Sequence, residues 1–321
     1  MNKPTDFAAF CTLSAALGSD PLRVQGPGGN TSIKDGAVMW IKASGTELAD
    51  AEQTDIFVAV DRDAARAQAF GDGDGSCKDT VLDPANTLRP SIETTFHAAL
   101  DWAVVAHTHS IASLTHSITP QGRAVAAEKL SQMPAVFVPY AKPGLPLTRE
   151  ILARITPETQ VIVLENHGLI CCGATVQDVT ALMENVETLL AMPVKTRPAA
   201  LPTTSAPDGF HWAAESWIAT DPIATAYATG GSYYPDHVVF LGPALPRADH
   251  DGKPPAVVFA GVGVALRDDA TPSQRAMLKC LSDVLSRLPN DWTATPIGND
   301  AEAELLNWDA EKYRQALAAR S

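Results

Sequence analysis

Three histidines stand in two short stretches that each end a run of apolar residues. His107 and His109 lie in AHTHSIASLTH (106–116), and His167 lies in QVIVLENHG (160–168). Neutral imidazole nitrogens are ligands that zinc prefers, and side chains two residues apart on a strand share one face. His107 and His109 could thus present two ligands at once, although a His-x-His pair alone is also typical of polar residues at a domain surface.

The third histidine decides between these interpretations. If the two apolar strands end on the same side of one layered structure, His167 completes a three-histidine set. Such a set leaves the fourth tetrahedral position to water or substrate, the pattern of catalytic zinc. The alternative is a histidine that only satisfies hydrogen bonds in the turn before Gly168. His116 falls on a helix predicted to start near Ser110, and we expect it to be structural or at the rim.

A carboxylate that could join the histidines lies in RPSIETTFHAAL (89–100). Pro90 and Ser91 predict a helix start, and Glu93 then falls in the first turn, where the helix dipole favours the ionised form. Glu93 is therefore available as a metal ligand or a base, or it only complements the dipole. His97 lies four residues on, on the same helical face, and we interpret it as a core residue or a support for the site.

Two glycine-containing stretches suggest an anion site, QGPGGNTSIKD (25–35) and WIKASGTEL (40–48). Three glycines before Asn30 allow positive φ angles, and successive N–H groups in such turns can bind an anion. Ser44 and Gly45 end a predicted strand before a predicted helix, where their amides could add donors. Lys34 and Lys42 supply cations nearby in the sequence. The alternative is a pair of ordinary turns.

The elements that would position these residues alternate in type up to about residue 192. Apolar runs predict strands at VMWIKA, DIFVAV, WAVVAH, AVFVPY and QVIVLE, and helices are predicted at 7–17, 91–101 and 176–191. This alternation is typical of a layered α/β structure. Residues 193–208, PVKTRPAALPTTSAPD, are predicted to be a Pro-rich linker.

A smaller unit is predicted after the linker. Its strands are expected at HVVFLG, AVVFAG and VGVAL, and its helices at 272–288 and 300–318. The stretch FAGVGVAL (259–266) has glycines after a strand, but Leu266 replaces the third glycine of a dinucleotide fingerprint and no helix opens there. Nicotinamide binding is therefore not predicted.

The composition excludes several classes of partner. A formal charge of −13, without a basic stripe, disfavours nucleic acids and anionic membranes. No apolar run approaches the roughly 18 residues of a membrane span. The five cysteines are odd in number and form no Cys-x-x-Cys pair, so we expect reduced core thiols. The first twenty residues suit an amphipathic helix better than a secretion signal, and we expect a cytoplasmic protein.

The motifs GGNTS, KASGTEL, PSIE, HTH and ENHG, in this order, resemble the class II aldolase/adducin family. The resemblance covers roughly residues 5–192 and is closest to the aldolase part of bifunctional rhamnulose-phosphate aldolase/alcohol dehydrogenase proteins. PDHVVF (235–240) resembles the segment that follows that part. The family implies a three-layer α/β/α metal-binding catalytic domain at 1–192, and here a smaller accessory α/β unit at 209–321.

The resemblance also implies roles for individual residues. His107, His109 and His167 match the metal ligands, and Glu93 matches a displaceable fourth ligand that is also the catalytic acid and base. The positions that match the phosphate-binding residues, with Lys42 as their supporting cation, are Gly29, Asn30, Ser44, Gly45 and Ser91. The implied metal is zinc or another divalent ion, and the implied assembly is a homotetramer with active sites between subunits.

The implied activity is retro-aldol cleavage of a short ketose phosphate or related sugar acid through a metal-stabilised enediolate. Two departures stand against it: Ile92 replaces a phosphate-binding serine, and GRAVAAEKL (122–130) lacks the tyrosine that protonates the aldehyde oxygen. Asp236 and His237 are candidates for that acid, or a structural pair. The same scaffold serves sugar-phosphate 4-epimerases and 3-oxo acid decarboxylases. A non-catalytic adducin-like interaction module is the alternative of another class, and it would be expected to lack the metal ligands.

Overall fold

The computed structural model of the chain describes residues 3–71, 74–195, 201–248 and 252–319. Its strands, numbered in chain order, are β1 (Asn30–Asp35), β2 (Val38–Lys42), β3 (Phe57–Asp61), β4 (Val104–Thr108), β5 (Ala135–Val138), β6 (Val161–Leu164), β7 (Gly168–Gly173), β8 (Phe210–Trp212), β9 (Ala256–Phe259) and β10 (Gly263–Arg267). Its α-helices are α1 (Phe7–Ser19), α2 (Arg62–Phe70), α3 (Thr94–Ala99), α4 (Ile111–Ser117), α5 (Pro120–Lys129), α6 (Leu145–Leu152), α7 (Val176–Leu190), α8 (Trp217–Thr220), α9 (Pro222–Gly230), α10 (Pro235–Leu241), α11 (Pro272–Arg287), α12 (Asn299–Asn307) and α13 (Asp309–Ala318).

The large sheet contains seven strands in the order β3-β2-β1-β4-β7-β6-β5. Its neighbouring strands are antiparallel apart from the parallel pair β5 and β6. The five strands predicted for this region are confirmed as β2 to β6, and β1 and β7 lie where no strand is predicted. Because β4 and β6 are both antiparallel to β7, their carboxyl ends lie at the same edge, as the three-histidine hypothesis requires.

Helices cover both faces of this sheet. Val104 and Ala106 of β4 belong to a core shared with α1 and α7, whereas Val105 faces the other side and packs with Phe96 of α3. Helices α2 and α6 cover the same side as α3. Alternate side chains of β4 thus pack into two separate hydrophobic cores, one on each face of the sheet. The three-layer α/β/α architecture is confirmed.

The helix that carries the candidate carboxylate starts later than predicted. Helix α3 begins at Thr94 rather than at 91, because the backbone turns between Ser91 and Thr94, whose N–H donates to the Ser91 carbonyl at 3.1 Å. Glu93 is the residue that precedes the helix, with a φ of −105° and a ψ of 11°. The carboxylate therefore extends from the end of a turn, not from the first helical turn.

Two predictions for the C-terminal region are wrong. HVVFLG forms α10 and not a strand, because every residue from Pro235 to Leu241 is buried and such a run has no alternation that separates strand from helix. The predicted helix over 300–318 is two helices, α12 and α13, separated at Trp308 by an extended backbone with a ψ of 126°. This break turns α13 towards the large sheet. The predicted strands AVVFAG and VGVAL and the helix over 272–288 are confirmed as β9, β10 and α11.

The C-terminal region packs directly on the first half of the chain. Its small sheet has the order β8-β10-β9. Ile111, Leu114 and Ile118, in and just after α4, share one hydrophobic core with residues of α8 to α11. The predicted division at 193–208 stays a prediction, and residues 196–200 of that linker lie outside the described residues. No helix within the described ranges combines the length and the apolar character that a membrane span needs.

Candidate metal and substrate site

The His-x-His pair lies at the carboxyl end of β4, at the centre of the large sheet. His107 is fully buried and pairs with Ile170 across β7. Its Nδ1 donates to the carbonyl oxygen of Leu169 at 3.1 Å. Because this bond requires a proton on Nδ1, the neutral ring carries its lone pair on Nε2. The backbone of β7 therefore orients His107 as a ligand.

His167 reaches the same point from the turn between β6 and β7. Asn166 precedes it with a φ of +54°, a left-handed conformation that asparagine tolerates better than most residues. The Asn166 amide donates to the carbonyls of Tyr233 and Thr295, at 3.0 and 2.9 Å, which fixes the turn to the C-terminal region. One nitrogen from each of His107, His109 and His167 lies within 4.8 Å of the others.

Glu93 lies between two of these rings. Its Oε2 is 3.4 Å from Nε2 of His107, and its Oε1 is 3.6 Å from Nε2 of His167. Only 3% of Glu93 is exposed. The structure thus brings together the four residues that the resemblance marks as metal ligands.

A hydrogen-bonded chain fixes Glu93 to the core. Asn30, the first residue of β1, donates its amide N–H to Oε2 of Glu93 at 2.8 Å. The Asn30 amide oxygen contacts Nε2 of His97, and Nδ1 of His97 lies 2.7 Å from the hydroxyl of Ser32. Since the amide oxygen only accepts, His97 donates from Nε2 and accepts from Ser32. The sequence interpretation of His97 as a residue that supports the site agrees with this contact.

The protonation states suit a cation. Burial lowers the pKa of His107 to about 4 and that of His167 to about 3. Burial opposes ionisation of Glu93, but the adjacent His107 and His167 and the Asn30 amide outweigh it and hold the pKa of the carboxyl below its ordinary value. At neutral pH the site therefore offers two neutral imidazoles beside an ionised carboxylate.

Two buried atoms that face this group have no hydrogen-bond partner, Nε2 of His107 and Oε1 of Glu93; in His167 the unpartnered atom is Nδ1, and Nε2 is the nitrogen that lies 3.6 Å from Glu93. Leaving buried polar atoms unpaired costs about 1–3 kcal/mol each. Nitrogen and carboxylate donors gathered without partners are the donor set that zinc and related ions bind. The residues present therefore fit a divalent metal.

The predicted phosphate-binding residues line the cavity that opens beside this group. The cavity has a volume of about 390 Å³, including the part open to solvent. Ten of the residues singled out from the sequence line it: Gly29, Asn30, Lys42, Ser44, Gly45, Ser91, Glu93, His109, His167 and Asp236. Ile92, which replaces a phosphate-binding serine, lines it as well.

The donors in this cavity differ in part from the expected ones. The amides of Ser44 and Ser91 donate to the carbonyls of Arg89 and Lys42, at 2.8 and 3.1 Å, so they are already used. Nζ of Lys42 donates to the Pro27 carbonyl at 3.1 Å, and burial lowers the pKa of Lys42 to about 7. An anion would thus depend on the hydroxyls and on a lysine that is only partly charged at neutral pH.

A buried charge cluster from the C-terminal region forms one wall of the cavity. Oδ1 of Asp236 accepts from Nη1 of Arg314 at 2.9 Å, and its Oδ2 lies 3.2 Å from Nδ1 of His109. Burial opposes ionisation of Asp236, but Arg314 and His109 hold the pKa of its carboxyl well below the ordinary value. Glu311 also accepts from Arg314, at 2.9 Å. Arg314 and Glu311 carry no motif, and no signal in the sequence indicates them.

The other speculative residue does not join the site. His237 is fully buried in α10 beside the rings of Tyr233 and Tyr234, and it is not among the residues that line the cavity. His116, expected to be structural or at the rim, donates from Nδ1 to the Ala112 carbonyl oxygen at 2.9 Å and is not part of the histidine group.

Comparisons with known proteins point to one family. Residues 8–194 match the family model of the class II aldolase and adducin N-terminal domain. The chain is 32% identical over 181 residues to the uncharacterized oxidoreductase YuxG of Bacillus subtilis, which covers 50% of this chain and 26% of that protein. It is 28% identical over 193 residues to L-fuculose phosphate aldolase of Methanocaldococcus jannaschii. This match covers 54% of this chain and 90% of that protein.

A solved structure agrees with these matches. The N-terminal class II aldolase domain of a conserved protein from Thermoplasma acidophilum superposes with a TM-score of 0.52 at 29% identity, over 59% of this chain and 94% of that one. The chain spans about a quarter of the length of the Bacillus subtilis protein. The cluster of Asp236, Glu311 and Arg314 lies outside residues 8–194, the range that the family model matches.

Proposed function

The chain belongs to the class II aldolase and adducin family, and from this premise we propose that it is a zinc-dependent or similar divalent-metal-dependent lyase. Its proposed reaction is retro-aldol cleavage of a short ketose phosphate or related sugar acid. The observation that carries the proposal is the buried group of His107, His109 and His167 with Glu93 between two of the rings. The cytoplasmic location and the homotetramer expected from the sequence are parts of the same proposal.

The metal in this proposal is held by His107, His109 and His167, with Glu93 as a displaceable fourth ligand. A bound divalent ion supplies Lewis acidity that polarises a carbonyl oxygen. The chain contributes the orientation of the ligands: the Leu169 carbonyl fixes the tautomer of His107, and Asn166 fixes the turn that carries His167.

Glu93 is the proposed proton-transfer group. Asn30 holds Oε2, whereas Oε1 has no hydrogen-bond partner, so one oxygen is anchored and the other is free to exchange a proton. A carboxylate that is ionised at neutral pH can accept a proton from the carbon next to a carbonyl and return it. In the retro-aldol direction the substrate hydroxyl loses its proton as the carbon–carbon bond breaks to give the aldehyde, and Glu93, once it has taken up a proton through the cavity, gives one to the carbon of the three-carbon ketose product.

The phosphate end of the substrate is proposed to lie against Gly29, Asn30, Ser44, Gly45 and Ser91. Ser44 and Ser91 line this cavity and have hydroxyls that can donate, and Lys42 adds charge when it is protonated. Ile92 offers no donor. An anion with fewer oxygens, such as a sugar carboxylate, therefore fits this wall as well as a phosphate does.

Cleavage removes the proton of the substrate hydroxyl, and in the reverse condensation an acid protonates the aldehyde oxygen; Asp236 does not supply that acid. The pairing with Arg314 keeps Asp236 ionised, and an ionised carboxylate has no proton to give. No tyrosine is among the described residues that line the cavity. A site between subunits of a homotetramer leaves this step to the neighbouring subunit.

Product identity separates the other proposed enzymes from an aldolase, and the structure argues against an oxidoreductase and a binding module. A 4-epimerase or a 3-oxo acid decarboxylase would use the same metal group, so only products distinguish them. For the oxidoreductase named among the relatives, the FAGVGVAL stretch gives no support, because it forms the antiparallel β9–β10 hairpin without a following helix N-terminus. A binding module of the adducin type has no need of four converging metal donors.

The test is metal binding combined with product analysis. The purified chain, stripped of metal and reloaded with zinc, is incubated with four- to six-carbon ketose phosphates, sugar acids and 3-oxo acids. We expect about one metal per chain, an aldehyde and a three-carbon ketose phosphate or the corresponding ketose acid, and a roughly 10²- to 10⁴-fold lower kcat for Glu93→Gln. Glu150→Gln, whose side chain is 43% exposed and paired with Arg154 away from the cavity, is the matched control.

Two results would contradict the proposal. One is metal binding well below one ion per chain that His167→Ala leaves unchanged. The other is full turnover of the best substrate by Glu93→Gln, which would remove the proton-transfer role. Epimerised product or carbon dioxide in place of an aldehyde would replace the aldolase by one of the two alternatives.

A further inference from the structure

We propose that Asp236 and Arg314 form a positioning pair that holds the ring of His109 in the orientation needed for metal binding. Both residues lie in the C-terminal region, outside the range that matches the family. The metal centre would then be completed by helices α10 and α13. This inference rests on the proposed function, because it takes His107, His109 and His167 as the ligands.

The contact geometry gives the first support. The carboxylate of Asp236 uses Oδ1 for Arg314, at 2.9 Å, and its Oδ2, which has no hydrogen-bond partner, lies in ionic contact 3.2 Å from Nδ1 of His109. A carboxylate at one ring nitrogen favours the tautomer with its proton there and leaves the other nitrogen, Nε2, as the metal ligand. Asp236 thus does for His109 what the Leu169 carbonyl does for His107.

The close approach of loop 25–29 gives a second, independent support. A Cβ atom on Gly28 would lie 2.8 Å from Nδ1 of His109 and 3.0 Å from Oδ2 of Asp236. Any side chain at this position would therefore push on both partners at their point of contact. The backbone of Gly28 does not require glycine by its φ angle, so the demand for glycine here comes from the space left by these two atoms and by the Gln25 carbonyl oxygen, at 3.0 Å.

Burial of the charges gives the third support. Asp236 is 2% exposed and Arg314 8%, and Glu311 accepts from the same Nη1 of Arg314 at 2.9 Å. Removing one partner from a buried ion pair leaves an uncompensated charge. Without Arg314, the carboxylate of Asp236 would turn towards water in the cavity and leave His109.

A buried ion pair that only joins α10 to α13 is the alternative. Both explanations predict lower stability when Arg314 is replaced, so stability cannot separate them. Metal affinity can, because the loss of a carboxylate that orients a ligand typically costs about 10- to 100-fold in affinity.

The experiment measures cobalt and zinc affinity of the metal-free full chain by competition with a chelator, and records the visible spectrum of the cobalt form. The variants are Arg314→Met, Arg314→Lys and Gly28→Ala. The controls are Arg287→Met, which removes an arginine paired with Asp283 on α11, and Gly230→Ala, where a Cβ meets nothing within 4 Å. Circular dichroism and urea unfolding of each metal-free variant report whether it folds.

We expect Arg314→Met and Gly28→Ala to bind cobalt about 10- to 100-fold more weakly and with an altered spectrum. Arg314→Lys, which keeps the charge, should recover part of the affinity, and both controls should stay within about twofold. Gly28→Ala removes no charge, so it keeps the test decisive if Arg314→Met does not fold.

Wild-type affinity and spectrum in folded Gly28→Ala protein, and in Arg314→Met protein if it folds, would overturn the positioning role and leave the proposed function intact. Failure of the wild-type chain to bind about one metal would instead overturn the proposed function itself. The two failures are therefore distinguishable in one set of titrations.

Discussion

Asn30 is the residue through which the candidate catalytic carboxylate is anchored. Its amide N–H donates to Glu93, and its amide oxygen accepts from His97. Rotating the amide by 180° would therefore break both hydrogen bonds. Burial, with Lys34 nearby, keeps the pKa of His97 well below its usual range, so its ring is neutral. An amide in the middle of the chain does not pass a proton between Glu93 and His97. In the proposed reaction, the proton that Glu93 moves must therefore be exchanged through the cavity.

Replacing Asn30 by alanine tests this anchor. We expect Asn30→Ala to lower the free energy of unfolding by about 1–3 kcal/mol, because it leaves buried polar atoms of Glu93 and His97 unpaired. We also expect turnover to fall by roughly 10- to 100-fold, because Glu93 loses its orientation. Urea denaturation and steady-state kinetics measure the two effects.

The matched control is Ser14→Ala. Ser14 forms a buried hydrogen bond with Thr31, the neighbour of Asn30 on the opposite face of β1, at 2.7 Å. This variant should lose stability but keep its turnover. Equal turnover of Asn30→Ala and Ser14→Ala would show that the Asn30 bond to Glu93 has no catalytic effect.

The sequence predicts which side chains lie together when the residues are neighbours in the chain, and it misses contacts between residues that are far apart in the chain. Spacing of two along β4 is sufficient to place His107 and His109 together, because strand geometry is local. The approach of Arg314 to Asp236 depends on a helix break at Trp308 and on packing of α13, and no residue pattern near Arg314 encodes either.

The hairpin of β6 and β7 is the element that aligns the ligands. Its first β7 residue, Gly168, lies against the end of β4, where a Cβ atom would come within 2.2 Å of the Thr108 carbonyl oxygen and 3.1 Å of Cε1 of His107. Because the first of these is a backbone atom, the strands would have to separate to admit a side chain. Such separation would weaken the bond from His107 to Leu169.

We expect Gly168→Ala to reduce metal affinity at least about 10-fold, since it disturbs the group that orients a ligand. Isothermal titration with zinc measures this change, and Gly230→Ala serves again as a glycine replacement in open space. Unchanged affinity of a folded Gly168→Ala protein would show that the β4–β7 contact does not position His107.

Residue patterns predict five strands of the large sheet correctly, but they fail for α10 and β1. The five strands β2 to β6 are predicted because each is an apolar run bounded by polar residues. The run HVVFLG reads the same way and is a helix, since α10 is buried on all sides and Pro235 at its start favours a helical first turn. β1 is not predicted because its polar residues Asn30, Ser32 and Lys34 face the interior, where hydrogen bonds replace apolar packing.

For the whole molecule, the buried imidazoles make stability depend on pH. Burial lowers the pKa of His107 to about 4 and of His167 to about 3, below the roughly 6.5 of an unfolded histidine. The unfolded chain therefore binds protons first as the pH falls. Their contribution to stability is full above about pH 6.5 and is lost as the pH falls towards 4 and then 3.

We expect the free energy of unfolding of the metal-free chain to fall with decreasing pH below about 6.5, by up to about 1.4 kcal/mol per pH unit for each of these histidines. Urea titrations from pH 7.5 to 4.5 measure the slope. His167→Gln removes one titrating ring and should give a shallower slope, whereas a slope identical to that of the wild type would contradict the assignment.

Trp308, at the break between α12 and α13, is an intrinsic fluorescent probe of this part of the molecule. Its indole lies 4.7 Å beneath the ammonium of Lys142, and its ring would meet a Cβ on Gly144 at 3.2 Å. Indole emission responds to a neighbouring cation and to water. A displacement of α13 that moved Arg314 away from Asp236 would also separate the Trp308 indole from the Lys142 ammonium. The fluorescence of Trp308 therefore reports whether α13 stays packed in its position.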